Sequence, residues 1–133
     1  MKKYYLFYIK KDIYETYKNN GYLLYKVLEN IYNLKKSHIK YGKNLYEQLC
    51  IPFNINIIHN YLKKKYSFLI NKNKKYWFIN SYTNEITMIK LGYSLIIIKT
   101  NVNFPKILKT LEFYSSSLFI CDFKNRNFFW LFH

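Results

Sequence analysis

Cys121 and Asp122 stand side by side in SLFICDF, and with a distant histidine they are the residues closest to a nucleophile and its helpers. A thiol attacks only as the thiolate, so it needs a base within reach and an electropositive, accessible setting. The setting here reads otherwise. Cys121 lies inside an apolar run where a small side chain packs, and Asp122 suits a hydrogen bond in the hairpin ahead or a pair with Arg126. The three histidines, His38, His59 and His133, are scattered and lack the i, i+4 pair of a helical zinc site. His59 follows two isoleucines and reads as a partly buried, hydrogen-bonded histidine. The three glycines, Gly21, Gly42 and Gly92, are isolated, so neither a phosphate-binding loop nor a dinucleotide fingerprint is built. The SSS run at residues 115–117 lacks the context of a nucleophile elbow and reads as a connection. No enzyme constellation follows, and no metal or cofactor is expected.

Charge offers a second kind of chemistry. A net charge of +15 on 133 residues invites phosphate binding, because clustered lysines displace counterions from a nucleic-acid backbone. Codon bias is a competing cause: Lys, Asn, Ile, Tyr and Phe crowd out Ala, Gly and Pro, as an AT-rich genome would produce. Of the 22 basic residues only Arg126 is arginine, the side chain that reads guanine and forks onto phosphates, so specific DNA recognition is not expected. The KKK run at residues 63–65 and KNKK at residues 72–75 read as solvated faces or turns. Tyr76 and Trp77 in KKYWF suit core and edge packing in an alternating strand, with base stacking as the alternative.

The elements that would position these groups fall into two halves. YYLFYI is large and apolar on both faces, as befits a central strand covered on both sides. Asp12 and Glu15 resemble a capping box opening a helix of about two turns, which Asn19, Asn20 and Gly21 would end in left-handed conformations. On that helix Ile13 and Tyr17 stand at i and i+4 and share a face, while Tyr14 points elsewhere. Leu24, Val27, Leu28, Ile31 and Leu34 mark a second, amphipathic helix. Ile39, Leu45, Tyr46 and Leu49 mark a third, weakened by Gly42 and stopped before Pro52. A fourth starts near Ile55.

After Tyr66 the period changes. YSFLI, KYWFI, EITMI and SLIII read as strands separated by turn-prone breaks. NFPKILKTLEFY reads as a helix capped by Asn103, with Ile107, Leu108 and Leu111 facing in. SLFICDF and FFWLF follow as strands around a KNRN turn, and SLIII, this helix and SLFICDF suit one crossover. The expectation is a single α+β domain over residues 1–133, with a mixed, mostly antiparallel sheet and helices mainly from the amino-terminal half. Two unpaired cysteines without metal spacing suit a reducing compartment. The longest apolar runs fall far short of the ~18 residues of a membrane helix. A cytoplasmic protein without membrane association is expected.

Four segments carry a family likeness. YYLFYIKKDIYETY, GYLLYKVLENIY, NIIHNYL and SLFICDFKNRNFFWL resemble, in order and nearly in spacing, the SirA family, sporulation inhibitors of replication. A monomer is expected, and the resemblance implies a small, non-catalytic α+β protein of the cytoplasm that binds the amino-terminal domain of the replication initiator DnaA. It would block new rounds of initiation as a cell enters sporulation. It also implies partner contacts by an aromatic and a tyrosine on the first helix, positions that fall on Ile13 and Tyr17. A glutamine and a tyrosine in a second contact segment fall, counted without gaps, on Glu47 and Cys50. A register shift of a residue or two would bring Tyr46 and Gln48 to those places instead. The alternative reading is a basic, sequence-tolerant nucleic-acid-binding module.

Overall fold

The computed structural model describes residues 1–66, 70–73 and 75–131. Most of the expected strand YSFLI, the end of FFWLF and His133 lie outside the described residues. The strands are β1 (Lys2–Tyr8), β2 (Ile70–Lys72), β3 (Lys75–Asn80), β4 (Glu85–Lys90), β5 (Ile96–Thr100), β6 (Leu118–Asp122) and β7 (Asn127–Trp130). The helices are α1 (Lys11–Tyr17), α2 (Gly21–Tyr32), α3 (Ile39–Leu49), α4 (Ile55–Lys65) and α5 (Lys106–Thr110). The architecture is α+β, and four of these five helices precede β2.

All seven strands form one sheet in the order β2-β3-β4-β5-β1-β6-β7. Every neighbouring pair is antiparallel. β5 and β6 both run against β1, hence in the same direction as each other, and the chain between them passes through α5. YYLFYI is therefore covered by strands at both edges and by helices on both faces, which buries Tyr4, Tyr5, Leu6 and Phe7 in succession.

Strand alternation sorts the core into two layers. On the back face Tyr4, Leu6, Ile89, Ile96, Ile98 and Ile120 pack against Ile55, Ile58 and Leu62 of α4 and Ile107 and Leu108 of α5. On the front face Tyr5, Phe7, Phe119 and Cys121 pack against Leu24, Tyr25 and Leu28 of α2. Each such aliphatic side chain contributes roughly 1.5–3 kcal/mol by leaving water. The front cluster draws its strand residues from β5, β1, β6 and β7. Beyond β5 the same face is partly open: Trp77 and Ile79 on β3 and Ile86 on β4 are 36%, 53% and 42% exposed, while Met88 beside Trp77 on β4 is buried.

Local punctuation differs from expectation in three places. Asp12 and Glu15 form no capping box; Lys10 occupies the N-cap of α1 without a side-chain cap, and Asp12 lies in the first turn, where a helix's positive end favours it. The left-handed residues are not at 19–21 but at Asn73, Asn84 and Arg126, one in each of three hairpins, with φ of 54°, 57° and 53°. Gly21 instead begins α2, where the Phe128 ring would lie 3.0 Å from a Cβ. Asn103 does not cap α5: its carbonyl accepts the Tyr4 hydroxyl, and Pro105 takes the N-cap place. A true side-chain cap occurs at α4, where Asn54 Oδ1 accepts the Ile57 N–H at 3.3 Å. Among the described residues no helix is long and apolar enough to cross a membrane.

Candidate docking surface

The first and third helices are joined at their ends by strand-like pairing. Ile9 and Cys50 form an isolated antiparallel bridge. On either side of it the Lys10 N–H donates to the Leu49 carbonyl at 2.9 Å and the Ile51 N–H to the Tyr8 carbonyl at 2.7 Å. This arises because the chain leaves β1 still extended, with Lys10 at φ −60° and ψ 147°, and leaves α3 extended at Cys50 before Pro52. The start of α1 and the end of α3 are thereby held side by side.

Ile13 and Tyr17 do lie on one side of α1, but they do not stand free of the body. Both are half-buried and lean on the front cluster, as does Tyr14. Tyr14 sets its ring edge-on to Trp130, with centroids 4.8 Å apart at 89°. What Ile13 and Tyr17 offer a partner is therefore a half-exposed apolar ridge, with Lys11, Asp12, Glu15, Thr16 and Lys18 exposed around it.

The α3 contribution is divided. Glu47 is exposed and lies 4.0 Å from Lys43 one turn away. Gln48 is exposed beside it. Tyr46 is committed inward, its hydroxyl donating to the Ser94 carbonyl at 2.7 Å and its acidity suppressed mainly by burial. Cys50 is only 2% exposed, so as a partner contact it is corrected: the bridge to Ile9 turns its side chain into the front cluster. Of the four positions, Ile13, Tyr17 and Glu47 reach the surface and Cys50 does not.

Sequence reasoning missed a neighbouring feature. A hollow of about 290 Å³ opens between α2 and α3, lined by Phe7, Leu28, Ile31, Leu34, Ile39 and Tyr46 among others. Gly42 permits the close approach, since a Cβ there would sit 2.7 Å from Leu34 Cδ1. The signal was present as an isolated glycine in an otherwise helical pattern.

The residues first considered for chemistry occupy structural places. Burial pushes the Cys50 thiol up to about 12, with Lys10 drawing it slightly down, and pushes the Cys121 thiol up further. Asp122 accepts Asn125 Nδ2–H at 2.7 Å and the Asn125 N–H at 3.3 Å, so it serves the hairpin ahead of it. His59 is half-buried and its Nδ1 shares a hydrogen bond with the Tyr76 hydroxyl. Among the described residues no three His, Cys, Asp or Glu side chains group so as to hold a metal ion. Lys63, Lys64 and Lys65 are exposed.

No protein-family model matches the chain, and no curated protein matches it either.

Proposed function

We propose that this protein is a replication inhibitor of the SirA type, which binds the amino-terminal domain of the initiator DnaA in the cytoplasm and blocks new rounds of initiation at entry into sporulation. One observation carries the reading beyond sequence likeness: the pairing around Ile9 and Cys50 joins the two segments that the likeness assigns to the interface. Ile13 on α1 and Glu47 on α3 then lie about one turn to either side of that pairing, with Tyr17 a further turn along α1. A surface held this way loses little freedom on binding, so more of its contact energy is retained as affinity.

The mechanism is occlusion by contact and needs no reaction. Tyr17 supplies the ring, Ile13 the apolar neighbour, and exposed Glu47 with Gln48 a polar edge, as interfaces concentrate their energy in a few aromatic anchors. Lysines of a +15 chain speed encounter with acidic groups on a partner. Titration of the labelled amino-terminal domain of DnaA tests it. Tyr17→Ala is expected to cost ~2 kcal/mol, about thirtyfold in affinity. Binding as tight as the parent's, by a variant shown to be folded, would remove Tyr17 from the interface.

A further inference from the structure

The open part of the front face carries charge in a pattern that stability alone does not favour. Lys72 on β2, Lys75 on β3 and Lys90 on β4 are direct cross-strand partners, so three lysines stand in one row across adjacent strands. Lys99 on β5 is likewise opposite Lys3 on β1, on the same face. Like charges placed directly opposite destabilise a sheet. Nothing on the face relieves them: none of the seven carboxylates occupies a front-face position of β2–β5. Glu85, the one acidic residue on those strands, points to the back and accepts the Thr87 hydroxyl at 2.8 Å. The ion pairs of the described residues all lie on or beside helices, Lys18 with Glu15, Lys26 with Glu29 and Lys43 with Glu47.

Trp77 lies on the same face as the lysine row, two residues along β3 from Lys75, with its indole partly open to water. A ring bordered by uncompensated cations on an open sheet face matches a strand whose bases stack on the ring while its phosphates meet the lysines. Adjacent strands are ~4.8 Å apart, so the Lys72, Lys75 and Lys90 row spans about 10 Å, enough to follow a backbone through more than one phosphate. A duplex hides its base faces and would leave the indole unused. An anionic bilayer would favour apolar groups set among the lysines, whereas the exposed Ile79 and Ile86 lie at the opposite end of β3 and β4 from the Lys75 and Lys90 pair. With one arginine in the chain, base-edge readout is not part of the design.

We infer that the open front face of β2–β4 is a sequence-tolerant platform for single-stranded nucleic acid, with Trp77 stacking a base and Lys72, Lys75 and Lys90 holding phosphates. The surface is distinct from the α1–α3 junction, so it stands or falls independently of DnaA binding.

Fluorescence anisotropy with a labelled oligothymidylate of about twelve nucleotides tests this, at salt from about 50 to about 200 mM. Binding should weaken with a log–log salt slope of roughly −2, about −0.7 for each of three lysines. Tryptophan emission should be quenched on binding. Trp77→Ala should weaken binding about five- to hundredfold, and Lys75→Gln with Lys90→Gln should reduce the slope by about 1.4. Tyr17→Ala should bind the oligonucleotide as the parent does. Thermal melts of each variant establish that it is folded. The inference is overturned by no binding at about 50 mM salt, by both front-face variants binding as the parent does, or by tighter binding to a duplex or to phosphatidylserine vesicles than to the single strand.

Discussion

Ile9 and Cys50 face each other across a lone antiparallel bridge that fastens the first turn of α1 to the last turn of α3. Two residues thus decide which parts of the amino-terminal half present themselves together. Ile13 stands one turn beyond this clasp on one side and Glu47 one turn before it on the other.

Ile13 occupies the place where the family resemblance implies an aromatic. Because it is half-buried at the edge of the front cluster, a ring can replace it without entering the sealed core. Ile13→Phe is expected to tighten binding to the DnaA amino-terminal domain two- to fivefold, from about 0.5–1 kcal/mol of added ring contact. Isothermal titration with parent and variant measures it. Unchanged or weaker binding by a folded Ile13→Phe would count against this edge of α1 as the interface.

The thiols should be silent in the native protein. Both cysteines are buried and unpaired, with Cys50 at 2% and Cys121 at 0% exposure. An aromatic disulfide reagent near pH 8 should modify neither until denaturant is added, and fast native labelling of either would contradict the burial.

Alkaline pH should destabilise the fold. In the unfolded chain Cys50 ionises near its ordinary value of 9.0, whereas burial holds the folded thiol protonated to about 12. Between those values the unfolded state binds fewer protons, so stability present below pH 9 is lost as pH rises toward 12. Tyr25 acts in the same direction, raised from 10.0 to about 12 by burial and then by its hydrogen bond to Glu29. Urea midpoints between pH 8 and pH 11 should therefore fall, and a rise would refute the assignment.

Two glycines should respond differently to the same substitution. At Gly42 a Cβ meets the end of the half-buried Leu34 side chain at 2.7 Å, which can rotate away, and a helix gains about 1 kcal/mol from alanine. At Gly92 the obstacle at 2.7 Å is the backbone carbonyl oxygen of Leu95, which cannot. Gly42→Ala is expected to be near neutral and Gly92→Ala to cost about 1–3 kcal/mol in denaturant unfolding. Equal losses at both sites would contradict this account.

The lysine row makes a stability prediction of its own. Lys75→Glu would place a carboxylate between Lys72 and Lys90, turning two repulsive cross-strand pairs into attractive ones. A gain of about 0.5–1 kcal/mol is expected at low salt, shrinking as salt screens the exposed charges. Stability unchanged or lowered would mean that the three side chains splay apart.

Much of this fold was legible because hydrophobic periodicity survives without knowledge of tertiary neighbours. The change from helical to alternating spacing after Tyr66, the central place of YYLFYI and the inward set Ile107, Leu108 and Leu111 are all local patterns. What failed was decided at a distance. Asn103 does not cap because α5 starts only at Lys106 with Pro105 in the N-cap place, and its carbonyl instead accepts the hydroxyl of Tyr4, almost the whole chain away. Tyr25 is buried although its neighbours gave no sign, because the Phe123 and Phe128 rings of the last hairpin close over it. Cys50, a partner contact by the family resemblance, is buried, and its backbone pairs with Ile9, a residue distant in sequence. The exposure of Trp77 was equally unreadable: alternation reveals that a strand has two faces, not which of them a helix will cross.

The interior place of β1 also has a cost during synthesis. Its ladder partners are residues 96–100 and 118–121, so YYLFYI leaves the ribosome long before either of its neighbours. At translation speeds of about 5–20 residues per second, that sticky hexapeptide remains unmatched for roughly five to twenty seconds. Such distant closure slows folding, and the newborn chain is a natural client for chaperones that shield nascent apolar segments.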